Sequence, residues 1–462
     1  MNPSFLAQDT IAALATPPGE GAIGVIRLSG PDSIALASSF LELSPVPRQA
    51  KLAVFRQNGR RIDQVVATVY RGPASFTGED MVEISCHGGT SVLRQVMGAL
   101  VRAGVRSAER GEFSQRAFLN GKMDLLQAEA VADLISARTA GSGRAALSNL
   151  EGKLSGEVRA VRNALVEAAA SLEVALDHSD DPTVGTALTF KEIGSRIEVQ
   201  GQKIGRLLAS YESGRLLKEG VKIAIAGRPN AGKSSLLNSL LSSDRAIVSP
   251  HPGTTRDTLE EGFDLLGIPA VLIDTAGLRA HTQDPVEEIG MERTRRAILE
   301  SDMAVVVMDS ASEISGDDER IAGLMNGKKA VVALNKGDLP AKTDLPRVRK
   351  LFPDRPLVSV SALKGEGMEE LLQALRGQVQ GIHGIEDPEG SEAVVTSLRH
   401  RDCLARAKES LDKAGDVIRQ GGAEELAALE IREALESLGE LTGESAEADI
   451  LDKIFSGFCI GK

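Results

Sequence analysis

The sequence has very few aromatic residues: it contains no tryptophan, and Tyr70 and Tyr211 are its only tyrosines. Its hydrophobic cores must therefore rest on leucine, isoleucine, valine and alanine, a composition that suits helix-rich packing. Cysteine is also scarce, because Cys86, Cys403 and Cys459 are an odd number without paired spacing. This excludes a disulfide framework and a C-x-x-C zinc site, and it favours a reducing compartment.

Long apolar runs are missing too. The N-terminus has no basic segment followed by an apolar stretch, and no uncharged run approaches the roughly 20 residues that a membrane-spanning helix needs. The formal net charge is −12, which argues against a broad electrostatic grip on nucleic acid or anionic lipid and leaves room for a local basic patch. We expect a cytoplasmic protein.

The chain is long enough for several domains. It has 462 residues, of which 42% are hydrophobic and 26% charged, as in ordinary globular proteins. Since a domain usually takes about 100–200 residues, two to four domains are expected.

The sequence pattern changes three times along the chain. Short apolar runs around Ile26 and Ile84 with glycine turns indicate an α/β domain. Helical spacing starts near Met123, continuous apolar strands alternate with helices from Val221, and helical spacing returns after Gly384. The alternating block predicts a mostly parallel sheet buried on both faces, and the flanking helical parts should pack into one discontinuous domain. The predicted divisions are an N-terminal α/β domain (1–121), a first helical part (122–218), an inserted α/β domain (219–381) and a second helical part (382–462).

A phosphate-binding loop opens the inserted domain. Residues from Gly227 to Ser234 read G-R-P-N-A-G-K-S, which fits G-x-x-x-x-G-K-[ST]. A strand ending at Ala226 precedes the loop and a helix follows it, so backbone N–H groups and the positive helix end should face an anion. We expect Lys233 to contact the outer phosphates and Ser234 to bind Mg²⁺.

Two loops with switch character follow. The D-T-A-G motif at 274–277 comes after an apolar strand, which would place Asp274 near Mg²⁺ and the N–H of Gly277 near the terminal phosphate. The G-T-T-R-D segment at 253–257 lies between the two motifs, where a switch loop supplies a threonine to Mg²⁺.

The base-reading motifs complete the set. N-K-G-D at 335–338 follows an apolar strand, and Asp338 can accept the N–H protons that guanine presents and adenine does not. S-A-L at 361–363 fits the loop that supports the base through backbone N–H groups. All five elements occur in the proper order, so the sequence predicts a Ras-like P-loop domain that binds and hydrolyses GTP.

The residues expected around the nucleotide come from these five elements. They are Asn230, Ala231, Gly232, Lys233, Ser234, Ser235, Ser249, Pro250, His251, Pro252, Gly253, Thr254, Thr255, Asp274, Thr275, Ala276, Gly277, Asn335, Lys336, Asp338, Ser361, Ala362 and Leu363.

The catalytic group is not obvious from the motifs. Leu278 stands where Ras-type enzymes have the glutamine that aligns water, so another group must serve. Glu287 and Glu288 lie a short loop downstream, although acids also favour a helix start. Charge on the phosphates could be neutralised by an arginine in cis or by a monovalent cation at the Asn230 side chain. The candidate arginines are Arg228, Arg256 and Arg279.

Over essentially its whole length the chain resembles the tRNA-modification GTPase family MnmE, also called TrmE. Beyond the GTPase motifs, the segments that carry this resemblance are A-T-P-P-G at 15–19, S-F-T-G-E-D at 75–80, H-G-G at 87–89, G-E-F-S-Q-R-A-F-L-N-G-K at 111–122 and F-C-I-G-K at 458–462.

The resemblance implies an architecture and a reaction. It implies an N-terminal folate-binding and dimerisation domain, a central helical domain and a GTPase domain inserted in the helical domain. It also implies a homodimer that works with an FAD-containing partner, MnmG, on certain tRNAs. Together they would install an aminomethyl-type group at carbon 5 of the wobble uridine, with a methylene-tetrahydrofolate carbon.

The resemblance also implies site residues. Glu287 would orient the attacking water, and K⁺ would replace an arginine finger, with activation when two GTPase domains meet. Because the loop before Glu287 is one residue longer than in the family, Glu288 remains an alternative. The implied ligand sets are Asn230, Ser249, His251 and Thr254 for K⁺; Ser234 and Thr255 for Mg²⁺; and Arg27, Glu83, Lys122 and Lys462 for folate, with Cys459 close by or simply packed as a small apolar residue.

A second function competes with this one. Regulatory GTPases that bind ribosomal RNA during assembly share similar switch motifs, and they carry a small RNA-binding module after the GTPase domain. Here the chain ends in F-C-I-G-K instead.

Overall fold

The computed structural model describes residues 9–41, 46–177, 189–241, 246–247, 261–273, 287–383 and 393–462. The chain divides into two compact units, each built from separate segments. Unit 1 comprises Met1–Ala132, Asn149–Ile204 and Asp402–Lys462. Unit 2 comprises Asp133–Ser148 and Gly205–Arg401.

In the described residues the strands fall in two blocks, 11–107 and 221–359, and only helices are found between and after these blocks. The strands are β1 (Ile11–Leu14), β2 (Ile23–Ser29), β3 (Lys51–Gln57), β4 (Arg60–Tyr70), β5 (Met81–His87), β6 (Arg106–Ser107), β7 (Val221–Ala226), β8 (Ala246–Ile247), β9 (Glu261–Leu265), β10 (Ile268–Ile273), β11 (Met303–Asp309), β12 (Ala330–Asn335) and β13 (Leu357–Ser359). The helices are α1 (Ser33–Leu41), α2 (Thr90–Arg102), α3 (Glu112–Leu119), α4 (Leu125–Ser136), α5 (Ala140–Leu150), α6 (Lys153–Asp177), α7 (Phe190–Ala209), α8 (Tyr211–Glu219), α9 (Lys233–Leu241), α10 (Glu287–Glu300), α11 (Gly316–Leu324), α12 (Leu345–Leu351), α13 (Met368–His383), α14 (Leu398–Arg419), α15 (Glu424–Thr442) and α16 (Ala448–Ser456).

Unit 1 contains a six-stranded sheet with the order β3-β4-β5-β2-β1-β6. Its long strands are antiparallel, and only β6 pairs in parallel, with β1. Buried and less buried residues alternate along β4 and β5, as expected for strands with one face on a core. Helix α2 covers this core with Leu93, Val96 and Leu100, which share one face at helical spacing.

The helical part of unit 1 joins segments from both sides of the inserted domain. Helix α6 precedes that domain and α15 follows it, yet the two helices pack together. Leu165 and Leu172 of α6 and Ile431 and Leu438 of α15 are each completely buried. The predicted discontinuous helical domain is therefore confirmed.

Unit 2 contains a seven-stranded sheet with the order β13-β12-β11-β7-β10-β9-β8. The five strands from β13 to β10 are parallel, and β9 and β8 are antiparallel to their neighbours. All seven residues of β11 are buried, as the pattern of a sheet covered on both faces requires. Separate apolar clusters cover the two faces, so the predicted α/β class with a mostly parallel sheet is confirmed.

The structure can be compared with two of the predicted domain boundaries. Helix α13 continues to His383, and unit 2 includes Asp133–Ser148 from the first helical part. The three boundaries between the four predicted segments stay predictions. Among the residues that the structure describes, no helix has both the length and the apolar character needed to cross a membrane.

Candidate functional site

The loop after β7 has a backbone that only certain residues allow. A Cβ atom on Gly227 would lie 2.5 Å from the Val307 carbonyl oxygen, so a side chain there would collide with β11. Asn230 and Gly232 both have positive φ angles, 60° and 95°, a region that asparagine and glycine tolerate best. Such turns point successive N–H groups into one concavity, as anion-binding loops require.

Lys233 places a positive charge inside this loop. Its Nζ donates hydrogen bonds to the carbonyl oxygens of Gly227 at 2.7 Å and Arg228 at 2.9 Å. Burial lowers the pKa of the Lys233 ammonium from its usual value, because charge is less stable away from water. Helix α9 starts at the same residue, so its N-terminal N–H groups add partial positive charge.

Asn335 ties three loops together. Its Nδ2 donates to the Ala231 carbonyl oxygen at 3.0 Å, and its Oδ1 accepts from the Ala362 N–H at 3.1 Å. The residue is 3% exposed, and a Cβ on Gly232 would lie 2.1 Å from its Nδ2. The phosphate loop and the two base-reading loops therefore meet at one amide side chain.

The Asp338 carboxylate is fixed by a hydrogen bond and can accept further ones. The Ser361 hydroxyl donates to its Oδ1 at 2.8 Å, and this hydrogen bond lowers the pKa of the carboxyl group. The Gly337 N–H donates to the Val360 carbonyl oxygen at 2.9 Å, which joins the two loops a second time. An anionic carboxylate next to the phosphate loop can accept two N–H groups from a guanine edge.

Several predicted nucleotide contacts lie outside the described residues. They are Ser249, Pro250, His251, Pro252, Gly253, Thr254, Thr255, Asp274, Thr275, Ala276 and Gly277. Leu278, Arg256 and Arg279 also lie outside them. Glu287 begins α10 and Glu288 follows it, and their side chains are outside the described part. Of the remaining candidates, Arg228 donates to the Glu313 carbonyl oxygen at 3.3 Å.

A second cluster of charged groups lies on the sheet of unit 1. Arg27 of β2 and Glu83 of β5 are opposite each other in the antiparallel register. The Nε and Nη2 atoms of Arg27 lie 3.0 and 2.8 Å from one carboxylate oxygen of Glu83. The Tyr70 hydroxyl donates to the other oxygen at 3.4 Å. Burial, and then the Glu83 charge, raise the pKa of Tyr70.

The end of the chain reaches this cluster. Nη1 of Arg27 donates to the Gly461 carbonyl oxygen at 3.4 Å. Burial and the Arg27 charge lower the pKa of Lys462, while Cys459 and Glu83 act in the opposite direction. Three of the four predicted folate contacts, Arg27, Glu83 and Lys462, are therefore close together.

Lys122 reaches the cluster through a loop. Its Nζ donates to the Pro73 carbonyl oxygen at 2.9 Å. The same loop carries Phe76, whose ring centroid lies 5.4 Å from the Arg27 guanidinium carbon. Lys122 thus borders the loop that covers Arg27, and its contact is with backbone rather than with Glu83.

Sequence reasoning missed the aromatic groups of this cluster. Tyr70 holds Glu83, and Arg27 lies beside the rings of Phe76 and Phe113, the latter at 5.8 Å. Phe76 and Phe113 belong to the segments S-F-T-G-E-D and G-E-F-S-Q-R-A-F. Because these segments carry the family resemblance, they could have drawn attention to the two rings. Nothing in the local pattern around Tyr70 pointed to Glu83.

Comparison with known proteins finds relatives over nearly the whole chain. The family model "GTP-binding protein TrmE N-terminus" matches residues 10–122, and "MnmE helical domain" matches residues 125–459. The chain is 42% identical over 457 residues to the tRNA modification GTPase MnmE of Thermotoga petrophila, covering 98% of this chain and 100% of the relative. It is 42% identical over 472 residues to the protein of the same name from Heliobacterium modesticaldum, covering 98% and 99%.

Identity of this extent over the whole chain shows the family. The corresponding protein from Enterococcus faecalis is 40% identical over 470 residues, with 100% of both chains covered. The chain belongs to the MnmE (TrmE) family of tRNA modification GTPases.

Proposed function

We propose that this member of the MnmE family is a potassium-dependent GTPase that is activated by dimerisation and modifies tRNA. As a homodimer in the cytoplasm, and with an FAD-containing partner of the MnmG type, it would convert carbon 5 of the wobble uridine to an aminomethyl or carboxymethylaminomethyl form. The observation that carries the proposal is the junction of the phosphate loop with two guanine-reading loops at Asn335. A phosphate loop joined in this way to guanine-reading loops is typical of GTP-hydrolysing enzymes.

Each described loop would take one part of the nucleotide. Lys233 and the N–H groups at the start of α9 suit the negative phosphates. The Ser234 hydroxyl and Thr255 would hold Mg²⁺, which prefers oxygen ligands. Asp338, held by Ser361, would accept the N–H groups of guanine. Because an anionic carboxylate repels the acceptor atoms of adenine, the site favours GTP.

Asn230 suits a K⁺ ligand by its chemistry. Its amide oxygen is a hard ligand, and its left-handed backbone lies in the loop that would bend around the phosphates. Ser249, His251 and Thr254 would complete the ligand set. A bound K⁺ supplies positive charge where an arginine finger would otherwise be needed. We expect GTP hydrolysis to be faster in K⁺ than in Na⁺, and Asn230→Ala to abolish that difference. Equal rates in both salts for the wild type would refute the K⁺ role.

Glu287 is the proposed group that orients the attacking water, since a leucine at 278 cannot do so. Glu287→Gln should bind GTP normally and lose hydrolysis, whereas Glu288→Gln should keep it. Unchanged turnover in Glu287→Gln, with loss in Glu288→Gln, would assign the role to Glu288.

The cluster on the sheet of unit 1 would bind a tetrahydrofolate derivative. The Arg27–Glu83 pair offers donors and an acceptor for the polar pterin edge, and Lys462 and Lys122 offer positive charge for the acidic tail. A folate bound there would supply the one-carbon unit. Calorimetric titration of the full chain with 5-formyl-tetrahydrofolate tests this proposal. Wild-type affinity in Arg27→Ala would contradict it.

The whole proposal is tested by nucleoside analysis of tRNA from cells that lack the protein. Loss of the modified wobble uridine is expected, with recovery on expression of the wild type and none on expression of Asp338→Ala. Normal modification in the deletion strain would overturn the tRNA role. An exposed variant such as Lys453→Met in α16 serves as the expression control.

A further inference from the structure

Asp309 and Lys336 form an ion pair at the carboxyl ends of two parallel strands. Asp309 ends β11 and stands opposite Asn335, which ends β12. The Nζ atom of Lys336 lies 2.7 Å from Oδ2 of Asp309, and their side chains are 32% and 9% exposed. The pair therefore lies largely away from water, one residue from the amide that joins the nucleotide loops.

The Asp309 carboxylate is held in place independently of the lysine. Its Oδ1 accepts from the Ala311 N–H at 3.0 Å, and its Oδ2 accepts from the Ser312 hydroxyl at 3.0 Å. Burial raises the pKa of Asp309, but the hydrogen bonds from Lys336, Ala311 and Ser312 outweigh this and lower it overall. The group is a fixed negative charge at neutral pH.

Lys336 is the member of the pair whose side chain has more rotatable bonds. Its backbone has a φ angle of 63°, which is unfavourable for a lysine. Ordering a free lysine side chain costs conformational entropy. The ion pair orders the side chain before any nucleotide arrives, within the N-K-G-D segment that also holds Asn335 and Asp338.

We propose that Asp309 is a positioning residue for guanine-nucleotide binding. Its carboxylate anchors the Lys336 ammonium, so that the apolar stem of Lys336 stands in the base site in its binding conformation. The inference rests on the GTP site proposed above and assigns no contact between Asp309 and the nucleotide. Asp309 acts through Lys336 alone.

Fluorescence titration with mant-GDP and GTPase kinetics on the full chain test the proposal. Asp309→Asn keeps the shape and an acceptor for Ala311 and removes the charge that faces Lys336. We expect it to raise the Kd for mant-GDP and the KM for GTP by about tenfold, with kcat within about twofold. The matched control is Asp317→Asn in α11, whose exposed ion pair with Arg320 lies elsewhere; it should bind like the wild type.

A double-mutant cycle separates positioning from simple loss of stability. Lys336→Gln should weaken mant-GDP binding by at least as much as Asp309→Asn. In the Lys336→Gln background, Asp309→Asn should change the Kd by less than about twofold, because the group it acts through is gone. If Asp309→Asn does not fold, Asp309→Ser replaces it in the same cycle.

Three results would overturn the proposal. A wild-type affinity for mant-GDP in a folded Asp309→Asn protein would refute the proposal directly. Additive effects in the double variant would show that Asp309 acts on binding without Lys336. Failure of the wild type to bind mant-GDP would defeat the GTP site itself, and this outcome differs from the first two because every variant would then be equally inactive.

Discussion

The Arg27 guanidinium donates a hydrogen bond to the carbonyl oxygen of Gly461 at 3.4 Å, although the two residues are 434 positions apart. Chain ends usually fray, but this one is held by packing. Phe455 and Phe458 are 2% and 5% exposed and join one apolar cluster with Leu125. Burying each ring contributes roughly 1.5–3 kcal/mol, which is enough to order the last residues beside Arg27.

The ordered tail makes Lys462 a sensitive test of the folate site. Lys462→Met should weaken binding of 5-formyl-tetrahydrofolate by about tenfold, the loss of one charge-assisted contact. Affinity for GDP should not change, since the nucleotide loops belong to unit 2. Calorimetry with both ligands measures this, with Lys453→Met as the control. Equal losses for both ligands would point to general misfolding.

Thr139 supports the hairpin formed by β9 and β10. Its hydroxyl donates to the Gly267 carbonyl oxygen at the hairpin turn at 2.7 Å, and Thr139 is 8% exposed. Thr139→Val should lower the free energy of unfolding by about 1–3 kcal/mol, because the half-buried Gly267 carbonyl oxygen loses its donor and the Ser142 N–H loses its acceptor. Amide hydrogen exchange of residues 261–273 should also become faster. Thr139→Ser keeps the hydroxyl and should stay close to the wild type in both measurements.

Glu112 gives a prediction about acid stability. Its carboxylate lies 2.5 Å from Arg106 and 2.9 Å from Arg116. Burial raises its pKa, but the hydrogen bonds from Arg106, the Glu109 N–H and Arg116 outweigh this, so the pKa falls below the ordinary 4.5. The stabilisation is therefore complete above the unfolded pKa and is lost as pH falls through the lower folded pKa.

Glu112→Gln should destabilise the protein at pH 7 by about 1–3 kcal/mol, because the buried charge-assisted hydrogen bonds from Arg106 and Arg116 weaken while Arg116 keeps Asp9 and Glu79 as partners. It should also make the unfolding free energy less dependent on pH below the ordinary value of 4.5. Urea unfolding at about five pH values between pH 3 and pH 7 measures both effects. Glu109→Gln changes an exposed side chain and should behave like the wild type. An unchanged acid slope in Glu112→Gln would contradict the argument.

Asp338 gives a prediction about base specificity. Asp338→Asn replaces an acceptor of N–H groups by an amide that can also donate. GTP affinity should fall by at least about 100-fold, the loss of two hydrogen bonds to a charged group. Xanthosine nucleotides, which carry an oxygen where guanine has its amine, should bind better than in the wild type. Competition against mant-labelled nucleotides measures the ratio, with Asp354→Asn on an exposed turn as the control.

Much of the architecture could be predicted from the pattern of apolar residues and motifs in the sequence. The strand ending at Ala226, the loop from Gly227 to Ser234 and the helix after it are contiguous, so their order in sequence is their order in space. The family, the α/β class, the discontinuous helical domain and the GTPase assignment are confirmed. The roles of the individual site residues, in the nucleotide loops, the metal sites, the folate cluster and at Glu287, all stay predictions.

Contacts between distant segments could not be read in the same way. Asp309 and Lys336 are separated by helix α11, and they meet because β11 and β12 pair in parallel with Asp309 opposite Asn335. The sequence contains both residues but not this register, which depends on how the whole sheet buries its apolar faces.

The sequence by itself determined the nucleotide loop, because backbone N–H groups and one lysine within eight residues carry that chemistry. Only the tertiary structure brings together the cluster on the sheet of unit 1, whose charged residues the family resemblance named without their contacts. Arg27, Tyr70 and Glu83 come from three strands, and Lys462 from the chain end, so their meeting depends on sheet register and on burial of Phe455 and Phe458. Such packing is a property of the folded chain as a whole, and no local spacing encodes it.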